Sequence, residues 1–356
     1  MVLACVGTAG AEGIARRELR IPMAEAGPEG LEALLVYPDE PGPHPLALIS
    51  HGSPRVAAER RAMTPAQFLP QATEFARRGF AAAIVMRRGY GDSGGEWAEA
   101  YGSCAHADYL TAARAQTEDL RAAIAQLSTL PEVDASRILA VGHSAGGFAT
   151  VALTADPPPG LVAAVDFAGG RGSTADGVIC GMDALLDAFR EFGSSSKTPM
   201  LWVYAQNDRF FGPETARKFR AAFEEGGNKV RFVQTAAFGT DGHALFSREG
   251  VPVWAPLVDG FLASHGLRLR AQAIAPPAAP DLHPPLTLGR EAAEAWSKYL
   301  TAPEHKAFAA SADGRYYGWR TGRRTEQEAR DAASALCKDP TCAVIAVDER
   351  ITSGRP

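Results

Sequence analysis

In the stretch RILAVGHSAGGFATVAL, residues 137–153, an apolar run ends on Gly142-His143-Ser144-Ala145-Gly146 and a second apolar run begins at once. Glycines on both sides of a serine permit a tight strand-to-helix turn that lifts the hydroxyl above a sheet. A serine hydroxyl attacks an acyl carbon when a base takes its proton, an acid orients that base and N–H donors receive the oxyanion. The candidate acid is Asp208 in LWVYAQNDRFFGPE, where a carboxylate at the end of a very apolar strand needs a partner; the plainer reading is a turn cap. The candidate base is His243 in TAAFGTDGHALF, the histidine that follows the last sheet strand in a glycine-bearing loop. Asp241 is the rival acid, but two residues from His243 it is poorly placed to orient the ring. His51 and His143 have structural readings: His51 shapes the loop after its strand, and His143 packs under the serine turn. The oxyanion donors are the amide of Ala145 and that of Ser53 in SHGSPR, where Gly52 lets the backbone turn close and Pro54 has no N–H to give.

These residues need a sheet to hold them, and the hydrophobic pattern supplies one. ARRELRIPM and GLEALLVYP read as antiparallel strands, and PLALISHG and FAAAIVMRRG as buried ones. RILAVGH, LVAAVDFAG, PMLWVYAQND and VRFVQTAAFG follow. Helical stretches AQFLPQATEFARRG, YLTAARAQTEDLRAAIAQLSTL and PETARKFRAAFEEGG lie between strands. This alternation predicts an α/β fold, a doubly wound, mostly parallel sheet over residues 13–268. A proline-rich linker, AQAIAPPAAPDLHPPL, is expected over 269–286, and a small C-terminal α+β appendage over 287–356. In the appendage, Tyr316, Tyr317 and Trp319 form either a small core or a binding surface.

The order Ser144, Asp208, His243, the GHSAGG elbow, the HGSP loop and the RRGYGDSGG segment together resemble the α/β-hydrolase superfamily, closest to its dienelactone hydrolase and prolyl-oligopeptidase-like branch, over roughly residues 30 to 267. The resemblance implies acylation of Ser144, release of the acid by water that His243 activates, and no need of a metal or organic cofactor. Dienelactone hydrolases proper carry a cysteine nucleophile where this chain has Ser144, which favours a general carboxylesterase. With one helix after the sixth strand and no large insertion, the site is expected to be open, with Tyr90, Trp97, Tyr101 and Phe210 as candidate pocket walls.

The 356-residue chain is 46% hydrophobic with a formal charge of -5, which gives no electrostatic footprint for nucleic acid or an anionic membrane. The expected partner is a small ester substrate, with no stable membrane insertion. Residues 1–12, MVLACVGTAGAE, resemble the end of a secretory signal, which points to a periplasmic or secreted protein; the alternative is an ordinary terminus and a cytoplasmic location. Cys337 and Cys342 flank a short loop and are candidates for a local disulfide, with Cys104 and Cys180 as the second pair; buried free thiols are the alternative. Two other functions stay open: a serine peptidase on the same triad, and an inactive hydrolase-fold binding protein acting through its C-terminal domain.

Overall fold

The computed structural model describes residues 13–276 and 278–352, so the expected signal remnant lies outside the described residues. Two compact units emerge: residues through Met63 with Gln71–Ala275, and Thr64–Pro70 with the chain from Pro276 onward.

The first unit is built on an eight-stranded sheet: β1 (Ile14–Ile21), β2 (Leu31–Pro38), β3 (His44–Ser50), β4 (Ala81–Val85), β5 (Val133–His143), β6 (Leu161–Phe167), β7 (Met200–Ala205) and β8 (Arg231–Thr235). Its order is β1-β2-β4-β3-β5-β6-β7-β8. The first two strands join antiparallel, and β4-β3-β5-β6-β7-β8 run parallel. Every residue of β3, β4 and β7 is buried, which is why these segments read as unbroken apolar runs rather than as alternation. The doubly wound, mostly parallel sheet expected from the sequence is thus present.

The helices of this unit are α1 (Leu69–Arg77, which belongs to it from Gln71 on), α2 (Tyr109–Leu127), α3 (Ala145–Ala155), α4 (Met182–Ser195), α5 (Pro213–Glu225) and α6 (Val251–Ser264). Asp108 caps α2 by accepting from the Thr111 amide, fixing where the segment after β4 turns helical. Aromatic side chains make two packed groups. Phe148, Phe189, Phe192, Trp202, Phe219 and Phe223 form one, and Phe75, Phe167, Phe246 and Trp254 the other. Each such ring contributes about 1.5–3 kcal/mol by leaving water, so the sheet that carries the site is rigid from both groups.

Where a linker is expected from residue 269, the chain first stays on this unit. The Ile274 amide donates to Arg77 O at 2.8 Å, and Arg270 pairs with Glu40.

The second unit holds α7 (Arg290–Leu300), β9 (Ala307–Ala310), β10 (Tyr317–Arg320), α8 (Glu326–Leu336), β11 (Ala343–Val347) and the short β12 (Arg350–Ile351). Its sheet is antiparallel in the order β10-β9-β11-β12. Tyr317 and Trp319 pack with Trp296, Tyr299 and Phe308 in its core, whereas Tyr316 is 51% exposed. Tyr317 and Trp319 are two apart within β10 and so share a face, whereas Tyr316 lies in the bend before the strand. The Cys337–Cys342 disulfide closes the loop after α8.

Candidate active site

Ser144 sits between β5 and α3 with φ 56° and ψ -121°, a left-handed backbone that a non-glycine residue adopts only when its surroundings enforce it. The enforcement is visible: the Ser144 amide donates to Phe167 O at 2.9 Å, and its carbonyl accepts from Gly170 and Phe148. Gly146 permits the close approach of α3 to β3, because a Cβ there would collide with the carbonyls of Ser50 and His51. The elbow foreseen in GHSAGG is therefore a strained turn made by packing.

Asp208 follows β7, and His243 lies in the 3-10 turn Gly242–Leu245 after β8. His243 Nδ1 donates to Asp208, 3.1 Å from Oδ1 and 3.0 Å from Oδ2. Asp208 Oδ1 also accepts the amides of Phe210 (2.7 Å) and Phe211 (2.8 Å), so the turn cap and the histidine contact coexist. Burial pushes this carboxyl up, but the hydrogen bond and charge of His243 and the two amides outweigh it and hold it below the usual carboxylate range. The Phe210 ring stacks on His243 at 4.0 Å.

Asp241 takes a different part. Its Oδ1 accepts the amides of His243 (3.0 Å) and Arg209 (3.1 Å), so it caps the turn and leaves the ring to Asp208. His143 Nε2 donates to His243 O at 2.8 Å, tying the residue before the serine to the histidine loop. Burial and the neighbouring His243 push His143 down to about 4, so it stays neutral near pH 7.

His51 Nδ1 donates to Gly52 O at 2.6 Å while Nε2 accepts the Arg87 amide at 3.0 Å. One ring nitrogen as donor and the other as acceptor is the neutral form, in keeping with a pKa that burial and Arg87 push down to about 3. Gly52 lies against the elbow: a Cβ on it would be 3.1 Å from Ser144 Cβ. The Ala145 amide opens α3, where the first N–H groups have no intrahelical acceptor.

Ser53, Ser144 and Ala145 line one cavity of about 90 Å³, together with Trp97, Tyr101 and Phe210 among the expected walls. Tyr90 does not line it. Its side chain is fully buried behind the wall, where the hydroxyl hydrogen-bonds Ser53 Oγ at 2.8 Å and Glu99 at 3.1 Å, so its expected place as a wall is corrected to a support. Arg55, Arg60 and Arg171 line the cavity without having been singled out from the sequence. Arg55 and Arg60 lie over the Phe210 and Trp97 rings, at 3.7 and 3.5 Å from the centroids, and neither segment carries a pattern that foretells this. A Cys104–Cys180 disulfide joins the loops on two sides of the cavity. Among the described residues no His, Cys, Asp and Glu cluster could hold a metal ion. No described helix is long and apolar enough to cross a membrane.

The family model of the X-Pro dipeptidyl-peptidase (S15 family) matches residues 29–189. No curated protein matches the sequence. Among solved structures, Thermogutta terrifontis esterase 2, phosphorylated by paraoxon, is 19% identical, and the alignment covers 73% of this chain and 97% of that one with a TM-score of 0.51. An acylaminoacyl peptidase in complex with Z-Gly-Gly-Phe-chloromethyl ketone is 16% identical; 73% of this chain spans 43% of that one, with a TM-score of 0.51. At these identities the structures share a fold, which agrees with the strand order and with the matched family. The chain has the α/β-hydrolase fold.

Proposed function

We propose that this hydrolase cleaves carboxylic esters through an acyl-enzyme on Ser144, with His243 as base and Asp208 as its orienting acid. The observation that carries the reading is the Asp208–His243 hydrogen-bonded pair, reached in chain order after a strained serine elbow. Asp208 holds Nδ1 in its protonated tautomer, which gives Nε2 the acceptor lone pair. In the first step Ser144 Oγ bonds to the carbonyl carbon as its proton passes to His243, and the oxyanion is received by the Ser53 and Ala145 amides. Collapse breaks the bond to the alkoxide, which leaves as an alcohol with that proton. Water then repeats the sequence on the acyl-serine, and the acid departs. A cavity of about 90 Å³ favours short acyl groups.

The match to a peptidase family over residues 29–189 supports a second reading, cleavage of an amide by the same steps. Fluorophosphonate labelling, followed by turnover of p-nitrophenyl esters of rising acyl length beside X-Pro p-nitroanilides, tests both. Labelling lost in Ser144→Ala with turnover greatest on short esters is expected. Preference for the anilides moves the assignment to peptidase, and labelling that survives Ser144→Ala removes the nucleophile. The two disulfides suit an oxidising compartment, which supports a site of action outside the cytoplasm.

A further inference from the structure

Glu99 is 1% exposed, and around it the structure gathers groups from every part of the proposed oxyanion site. Its Oε2 accepts from Arg171 Nη1 at 2.6 Å and Gln116 Nε2 at 3.1 Å, and hydrogen-bonds the Tyr90 hydroxyl at 3.1 Å. Its Oε1 accepts from Arg87 Nε. Each partner reaches on. Arg87 Nη1 donates to Ser50 Oγ (2.9 Å) and His51 O (2.7 Å), and the Tyr90 hydroxyl lies 2.8 Å from Ser53 Oγ. Gln116 Nε2 also donates to Ala145 O at 3.0 Å, in the first turn of α3. Arg171 lines the cavity, and its Nη2 donates to Glu99 O at 2.8 Å.

We propose that Glu99 is the positioning residue of the oxyanion site, one buried carboxylate that holds the Ser53 loop through Tyr90 and Arg87 and the start of α3 through Gln116. The inference rests on the reading of Ser53 and Ala145 as oxyanion donors. Glu99 touches neither substrate nor serine; it acts through what it holds. The Gly52–Ser53 peptide is gripped on its carbonyl side by His51 and at the Ser53 side chain by Tyr90, which fixes the direction of the Ser53 N–H. Such donors stabilise the transition state only if they are aimed before the charge develops. Burial pushes the Glu99 carboxyl up, but Arg87 and Arg171 draw it down to about 2, so the brace keeps its charge over the working pH range. A carboxylate shared by two buried guanidinium groups also restrains Arg87 and Arg171 together, linking the donor loop to the cavity wall.

The test uses the full chain with p-nitrophenyl butyrate and a short alkyl trifluoromethyl ketone, whose adduct with serine places an oxyanion at the donors. Tyr90→Phe keeps the ring packing and removes one link, so it carries the test even if Glu99→Gln fails to fold. Misaimed donors should lower kcat about tenfold or more in Tyr90→Phe, and further in folded Glu99→Gln, with KM within about twofold. Binding of the ketone should weaken by the same factor as kcat falls, a parallel that general loosening does not produce. Unchanged kcat, or a lower kcat with ketone affinity unchanged, overturns the proposal. Wild-type protein that turns over neither ester nor amide instead overturns the proposed function, before any variant is compared.

Discussion

His243 Nδ1 meets both oxygens of Asp208, at 3.1 and 3.0 Å, although 35 residues separate them in the chain. The same carboxylate is pinned by the Phe210 and Phe211 amides, so it cannot turn away from the ring. Asp208→Asn keeps the shape but presents an amide that stabilises the wrong histidine tautomer. Turnover of the preferred substrate should fall by about 10⁴ while the melting temperature changes little. A rate within tenfold of wild type, measured on the same preparation, would take the acid role from Asp208.

The Cys104–Cys180 disulfide ties the loop bearing Trp97 and Tyr101 to the loop of Gly170, Arg171 and Ser173, all of them cavity residues. It closes a separation of 76 residues, against 5 for Cys337–Cys342. By chain entropy, losing the first bridge should cost about 4 kcal/mol and losing the second about 2 kcal/mol. Serine pairs at each bridge, unfolded in urea, check the order. Only the Cys104→Ser, Cys180→Ser pair should also raise KM, because only that bridge joins two loops that carry cavity residues.

Asp166 lies buried on β6 beneath the elbow, and the Tyr204 hydroxyl hydrogen-bonds both its Oδ2 (3.0 Å) and Gly169 O (2.6 Å). Burial pushes its carboxyl up to about 8, against a partial opposing pull from Tyr204 and the Gly169 amide. In the unfolded chain the group ionises near the ordinary 3.8. Between those values the folded state holds a proton that the unfolded state has lost, so stability is complete at low pH and declines as pH rises toward 8. Asp166→Asn, which keeps a donor for Tyr204, should flatten that contribution and raise the melting temperature near pH 8 relative to wild type. Thermal scans from pH 5 to 9 with no change in the difference between the two proteins would show that Asp166 does not titrate this way.

Much of this protein is written locally. The apolar runs of β3, β4 and β7, the helical spacing of α2 and α5, and the glycines around Ser144 depend on neighbours a few residues apart, and such signals survive in a bare sequence. Chain order alone also brought Ser144, Asp208 and His243 into view, because each follows a parallel strand and such strands end on one side of the sheet. Tyr90 and Glu99 were beyond that reach. In RRGYGDSGGEWAEAYG, Tyr90 reads as a candidate pocket wall, and no local pattern sets Glu99 apart from Glu96. Only the fold decides that Glu99 is enclosed, since Arg87 arrives from the end of β4, Gln116 from α2 and Arg171 from the loop after β6. A buried charge is tolerated where opposite charges and hydrogen-bond donors converge on it, and convergence from three segments is a property of tertiary packing that no local pattern records.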